Sequence, residues 1–459
     1  MLVQNKQPKG MYVLGFTEVF ERMSYYTLAF LLVLYASASL EKGGLGWSKE
    51  SAIYLAGFYN LAAYTLPLIG AFLADRVVGT FRAAIFGAFL IITGHLCMLF
   101  TSPEHISIFY TALSFVAVGT AFFKPCMPTL LGRLYKPNDL SREGGFKLYY
   151  MGINVGGMLA GVVGGMLLQG FGFRIALASA SVGMIVGLLV LLAGRKYLVT
   201  KDFLQEQSKS LSSSNEIKKS SPIYNKALQY LALSFLFFAL WATVYGIILT
   251  GTLSIYIENF TQKTVFGYDI PTTFFQSLES LGIIVFAPLL AYIFYVVAKY
   301  KKPFHFFSQM NLALFVIFCG IAYFSYLTFC AGVVPQGEKP FHWLGISLFI
   351  LSLSLSEVLV NPVIMSAISL LSPAKYKTLF QSFNLAIFGI TGLIAGKIGA
   401  LSLKYPSQTF MSVTGVIFAG LVFFLFVRKR MVKVAIEAAE ELHLEEERKT
   451  EPTIVSVIH

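Results

Sequence analysis

Long apolar runs alternate with short polar connections along almost the whole chain. Runs long enough to cross a bilayer, which takes roughly 20 residues, fall at about 12–39, 53–74, 83–101, 106–131, 146–169, 174–194, 228–257, 273–298, 306–330, 342–371, 379–402 and 409–428. All twelve are far too long for the strands of a membrane barrel, so they predict helices, which satisfy their own backbone hydrogen bonds in lipid. The expected fold class is an all-α membrane protein with twelve transmembrane helices. The first run is too long for a signal peptide and carries internal charges, so it is read as a span.

One hydrophilic stretch interrupts the middle of the pattern. Residues 195–227 hold Ser208, Ser210, Ser212 to Ser214 and the pair Lys218 and Lys219, and read as a flexible linker. The chain therefore divides into a six-helix bundle at 1–194, a linker at 195–227, a second six-helix bundle at 228–430 and an acidic tail at 431–459. Two such halves around a midplane site are a layout used by secondary transporters. The tail segment Val434 to Glu447 is amphipathic and is expected to extend the last helix.

Composition narrows the class further. Of 459 residues 56% are hydrophobic and only 13% are charged, against about 25% charged in ordinary globular chains. A soluble enzyme, a disordered chain and a disulfide-stapled module are excluded. The net charge of +12 does not mark a nucleic-acid surface, because Lys and Arg sit in short connections. Connections on one side carry 24 basic residues and those on the other carry six. The excess marks the cytoplasmic side and places both termini there, in an inner (plasma) membrane protein. Cys97, Cys126, Cys319 and Cys330 are read as small core residues, and mid-span His95 as a satisfied core histidine. The six histidines show no metal spacing, so no catalytic centre, metal or bound cofactor is expected.

Charges inside spans are the informative exceptions, because each costs about 2.5–3.5 kcal/mol on insertion scales. The first span contains Glu18, Glu21, Arg22 and Tyr25 on one helical face, with Tyr26 adjoining. Glu18 and Arg22 are spaced to pair at i, i+4, which leaves Glu21 needing a cation or a proton. A buried carboxylate beside a cation is poised between two protonation states, as proton coupling requires. The fourth span supplies Lys124, followed by Pro125 and Pro128, and the tenth supplies Glu357. Lys124 and Glu357 belong to different halves and are read as a gate pair. Glu279, early in the eighth span, reads either as an acid at the outer interface or as part of a pocket. Lys397 is given no role.

The same residues carry a family likeness. Glu18-Val-Phe-Glu21-Arg22-Met23-Ser24-Tyr25-Tyr26 resembles the ExxERFxYY motif of the proton-dependent oligopeptide transporters, a branch of the major facilitator superfamily. Gly70 to Gly79, with Asp75 and Arg76, resembles the facilitator loop between helices 2 and 3, and Phe123-Lys124-Pro125 the helix 4 lysine motif. Phe146 to Gly156, through Tyr149, Tyr150 and Asn154, is similar to the FxxFYxxINxG signature. Ile270 to Pro288 resembles helix 8 of the family, and Glu357 with Asn361, Pro362 and Ser366 resembles its helix 10. The matches occur in family order from the first span through the eleventh.

The resemblance implies roles. Glu18, Glu21, Arg22 and Lys124 would couple protons. Tyr25, Tyr26, Tyr64, Lys124, Asn154, Glu279, Glu357 and Asn384 would line the substrate site, and Lys124, Glu357 and Asp75 would serve gating. Four positions depart from the family pattern. Ala29 replaces a usual arginine, Ile247-Ile248 replaces a helix 7 motif with an acid, Glu279 replaces a usual asparagine and Asn384 a usual tryptophan. The lost arginine and lost acid leave no orphan charge between them. The acid gained makes the site more negative, which favours cationic or amine-bearing substrates. The expected function is proton-coupled import of di- or tripeptides or peptide-like molecules by alternating access. The alternative is proton-coupled transport of amino acids or another small amine or organic solute. The expected partners are a small-molecule substrate, protons and the lipid bilayer, with no nucleic acid, and the chain is expected to act as a monomer.

Overall fold

The computed structural model describes residues 7–135, 141–198, 222–300, 306–332, 338–371 and 377–450. The first half contains α1 (Lys9–Ser37), α2 (Lys49–Leu73), α3 (Thr80–Cys97) and α4 (Ile106–Gly132). The continuous helical stretch Ser141–Ala193 then breaks at Gly172 into α5 (141–171) and α6 (173–193). Gly172 has φ 78°, a conformation that a Cβ would disfavour. The second half contains α7 (Pro222–Leu249), α8 (Thr252–Phe260), α9 (Thr272–Tyr300), α10 (Phe306–Ala331), α11 (Trp343–Leu371), α12 (Lys377–Lys404) and α13 (Pro406–Thr450).

Ten helical stretches among the described residues are long and apolar enough to cross a membrane. One of the ten is α5 together with α6, and another is α7 together with α8. The 29 residues of α1 are long enough to span, but Glu18, Glu21 and Arg22 lower its hydropathy. The architecture is thus consistent with the twelve expected spans. The linker segment 199–221, the tail residues 451–459 and the side chain of Asp75 lie outside the described residues. The backbone of α13 does continue past the membrane-length segment to Thr450, as the amphipathic tail pattern predicts.

Two details were not legible beforehand. The seventh span is not one helix: it breaks at Thr250, and Gly251 adopts φ 73° before α8 resumes. Beyond α8 lie four two-residue strands: β1 (Thr261–Gln262), β2 (Thr264–Val265), β3 (Tyr268–Asp269) and β4 (Phe341–His342). β1 pairs in parallel with β4, and β2 pairs antiparallel with β3.

Each half has its own apolar core. Trp241, Phe237, Phe324, Phe349 and Phe410 fill the second, and Tyr35 and Phe109 lie within the first. The halves meet along α2 against α12 and α5 against α9. Small residues let these backbones approach. A Cβ on Gly57 would come within 3.5 Å of the Leu393 Cα, and a Cβ on Gly161 would strike Ser277 and the Thr273 carbonyl. Thr273 Oγ1 donates to the Gly161 carbonyl at 2.7 Å, and Ser277 Oγ to the Met158 carbonyl at 2.8 Å. These close approaches run from the helix ends away from the chain termini to mid-helix, so the halves are drawn together there.

The reading of the cysteines is corrected at three of the four positions. Cys319 and Cys330 are exposed on the bare protein rather than packed in its core, because they face outward from α10. Cys97 is only partly buried, and Cys126 alone of the four is fully enclosed. His95 is fully buried, as expected of a core histidine, and lies against the Leu177 backbone.

Candidate functional site

The charged face of α1 looks into the bundle. Glu18, Glu21 and Arg22 are 4%, 1% and 3% exposed. Arg22 pairs with Glu18 as the i, i+4 spacing predicts, but Glu21 is not left without a cation, because the same guanidinium holds it too. The guanidinium engages Glu21 through both Nε and Nη2, the latter at 2.6 Å from Oε1, while Nε also reaches Glu18 Oε1 at 3.2 Å. A planar fork can hold one neighbour bidentately and still touch a carboxylate one turn back. Sequence spacing shows the i, i+4 pair, and the buried rotamer adds the adjacent residue to it. The Tyr149 hydroxyl of α5 lies against Glu18.

Lys124 enters the same space from α4, but by a different contact. Its ammonium lies 3.5 Å from the centroid of the Tyr64 ring and 5.8 Å from that of Tyr25, and Nζ has no hydrogen-bond partner. The Arg22 guanidinium stacks over the other part of this aromatic group, 4.9 Å from the Tyr25 centroid. Tyr25 and Tyr26 meet edge to face at 5.3 Å. Two cations therefore flank tyrosine faces, whose π electrons attract positive charge.

From Tyr64 an aromatic wall crosses into the second half. Tyr64 packs on Phe388 of α12 at 4.9 Å, Phe388 meets Tyr245 of α7 at 5.8 Å, and Tyr245 stacks on Trp241 at 4.8 Å. The Trp241 indole is held by donation to Ser356 Oγ at 3.0 Å. At the far end of the wall the Tyr245 hydroxyl donates to Glu279 Oε1 at 2.8 Å.

Glu279 and Glu357 face one another there. The two carboxylates are neighbours, and the Tyr245 hydroxyl that donates to Glu279 also lies against Glu357. Glu279 is 7% exposed, so it belongs to the interior pocket and not to the outer interface. Glu357 Oε1 accepts from the Tyr150 hydroxyl at 3.1 Å and from Asn361 Nδ2 at 2.8 Å, while Oε2 has no partner. Lys124 and Glu357 are not bonded to each other in this conformation: the lysine lies on its ring, and Tyr150 supplies the bond between halves.

The structure thus brings Glu18, Glu21, Arg22, Tyr25, Tyr26, Tyr64 and Lys124 together, and joins Glu279 to Glu357. Asn154 is buried on α5 but donates to the Tyr150 carbonyl of its own helix at 3.0 Å. Asn384 is buried on α12 with Oδ1 unpartnered. Tyr150, Tyr245, Asn361 and Phe388 are site-forming residues that sequence reasoning assigned no role. Tyrosines are frequent in these spans, and only the folded packing separates pocket tyrosines from the rest. Among the described residues no group of His, Cys, Asp and Glu is placed to hold a metal ion.

Comparison with known proteins gives a consistent picture. Residues 81–217 match the POT family. A peptide transporter of Yersinia enterocolitica, YePEPT, is 27% identical over 441 residues, covering 83% of this chain and 86% of the relative. A di-/tripeptide transporter of Lactococcus lactis is 34% identical over 191 residues, covering 41% of this chain and 38% of that protein. Among solved structures, peptide transporter POT with alafosfalin superposes at TM-score 0.79 with 25% identity, covering 94% of this chain and 96% of that one. A POT family transporter with 5-aminolevulinic acid superposes at 0.81 with 21% identity, covering 93% and 98%, and shows a shared fold.

Proposed function

We propose that this chain, which is similar to POT family peptide transporters, is a proton-coupled importer of di- or tripeptides or peptide-like molecules. The observation that carries the reading is Arg22 closed on Glu21 and Glu18 beside a lysine that has no carboxylate of its own. Protonation of Glu21 or Glu18 removes the negative charge that holds Arg22. Arg22 and Lys124 are then free to receive a substrate carboxylate, and Glu357 Oε2 offers an acceptor for the substrate ammonium.

The two six-helix halves move about these central groups in alternating access, with Tyr150 and Glu357 bonding across them. The proton is the coupling ion. Both termini lie in the cytoplasm of an inner-membrane protein, on the side where the basic connections concentrate. The closed seams α2–α12 and α5–α9 then lie on the outer side, so the described conformation corresponds to an inward-facing state. A gate role for Lys124 with Glu357 belongs to another stage of the cycle, since they are apart in this one.

The test is uptake of labelled Ala-Ala into proteoliposomes with an imposed inward proton gradient. Gradient-driven uptake that collapses in Glu21→Gln, while exchange of Ala-Ala across the membrane persists, supports the reading. Uptake indifferent to the gradient refutes proton coupling. Absence of Ala-Ala uptake together with uptake of a labelled amino acid or amine replaces the substrate class with the alternative.

A further inference from the structure

The charge balance of the central site is unusual for a zwitterionic ligand. Four buried carboxylates, from Glu18, Glu21, Glu279 and Glu357, face two cationic groups, Arg22 and Lys124. Arg22 is committed to the α1 acids. Among the described residues the side chains that contact Glu279 are Glu357, Tyr245 and Ser280, with Tyr26 and Tyr150 nearby, and these five carry no positive charge. Neither Glu279 nor Glu357 has a cationic partner among the described residues.

Two neighbouring buried carboxylates do not both hold a negative charge without a counter-charge. The hydrogen bonds leave room for one. Tyr245 and Ser280 donate to Glu279, at 2.8 and 3.3 Å, and Tyr150 and Asn361 converge on Oε1 of Glu357. Oε2 of Glu357, on a side chain 8% exposed, is left without a donor. A single substrate ammonium on Glu357 would leave Glu279 still needing a proton.

We propose that Glu279 and Glu357 form a paired subsite for two ammonium groups close together, selecting peptides whose first residue is cationic. This rests on the peptide-transport reading above and refines its substrate class. The substrate carboxylate lies toward Lys124, at the other end of the wall formed by Tyr64, Phe388 and Tyr245. The second ammonium must therefore lie beside the α-ammonium and not beside the carboxylate. Lys-Ala fits this arrangement and Ala-Lys does not. As the second ammonium arrives, the proton held between the two carboxylates passes to water, and the ion pair replaces it.

The test uses the full-length protein in proteoliposomes and in detergent. Lys-Ala should compete with labelled Ala-Ala about tenfold better than unlabelled Ala-Ala or Ala-Lys does, the scale of a buried charge-assisted hydrogen bond. The preference should fall to about unity in Glu279→Gln and return in part in Glu279→Asp. In weakly buffered solution Lys-Ala binding should release a proton that Ala-Ala binding does not. Equal competition by the three peptides, or a preference for Lys-Ala undiminished in Glu279→Gln, overturns the proposal.

If neither Ala-Ala nor labelled Lys-Ala is transported, the peptide reading fails, and thermal stabilisation judges the subsite separately. Lysinamide must then raise the melting temperature of the wild-type protein more than alaninamide does. Equal shifts overturn the subsite, and this comparison needs no variant to fold.

Discussion

The hydroxyl of Tyr150, on α5 of the first half, donates to Oε1 of Glu357, on α11 of the second, at 3.1 Å. One acid is thereby held by a residue that moves with the opposite half. Asn361, one turn along α11, holds the same oxygen from the acid's own side.

Tyr150→Phe removes the donor between halves and leaves Asn361 in place. A hydrogen bond to a charged group contributes about 1.5–3 kcal/mol. Initial uptake is expected to fall about tenfold, and spin labels on α5 and α11 should report a broader distance distribution. Unchanged uptake and distances would mean that the bond does not act in the cycle.

Arg22→Lys keeps the charge and loses the fork that reaches Glu21 and Glu18 together. Gradient-driven uptake should drop by at least about a hundredfold, because an ammonium cannot reproduce bidentate geometry on one acid while touching a second. Arg22→Ala should also destabilise the protein by about 3–5 kcal/mol, the cost of stranding a buried partner. Melting temperature measured beside uptake separates the two effects.

Lys124 on the Tyr64 face gives a graded test. Tyr64→Phe preserves the aromatic face, so uptake should stay within about threefold. Tyr64→Leu removes a desolvated cation–π contact worth about 2 kcal/mol, and the apparent substrate affinity should change about tenfold or more. Equal effects of Phe and Leu would assign the role to the hydroxyl instead.

Gly161→Ala places a methyl against Ser277 and the Thr273 carbonyl. The hydrogen bonds from Thr273 and Ser277 to α5 cannot both persist. Cysteines introduced at facing positions of α5 and α9 should crosslink less readily than in the wild-type background. Undiminished crosslinking would show that the seam adapts.

The span pattern was legible because lipid imposes it: ten of the twelve runs read from hydropathy lie within about five residues of an observed helix at both ends, while the seventh is divided between α7 and α8 and the last continues in α13 to Thr450. The charged face of α1 was legible for the same reason, since charge in lipid is costly and therefore conspicuous. What escaped depended on tertiary placement. Arg22 reaches both acids at once, and only its buried rotamer shows that the adjacent Glu21 is held as well as Glu18. The break at Thr250 escaped because Thr-Gly is tolerated within an apolar run, and its left-handed glycine shows only in the fold. Tyr150 and Tyr245 escaped because their partners, Glu357 and Glu279, lie 207 and 34 residues away.

The two-residue pairing of β1 with β4 has a mechanical consequence. β1 leaves the end of α8, and β4 leads directly into α11, whose shaft carries Glu357 farther along. The pair is a tie-rod between those two helices. The break at Gly251 separates α8 from α7, so a displacement of α8 would act through the strands on the head of α11. Leverage applied at that tip would reach the buried acid as a tilt of the whole shaft.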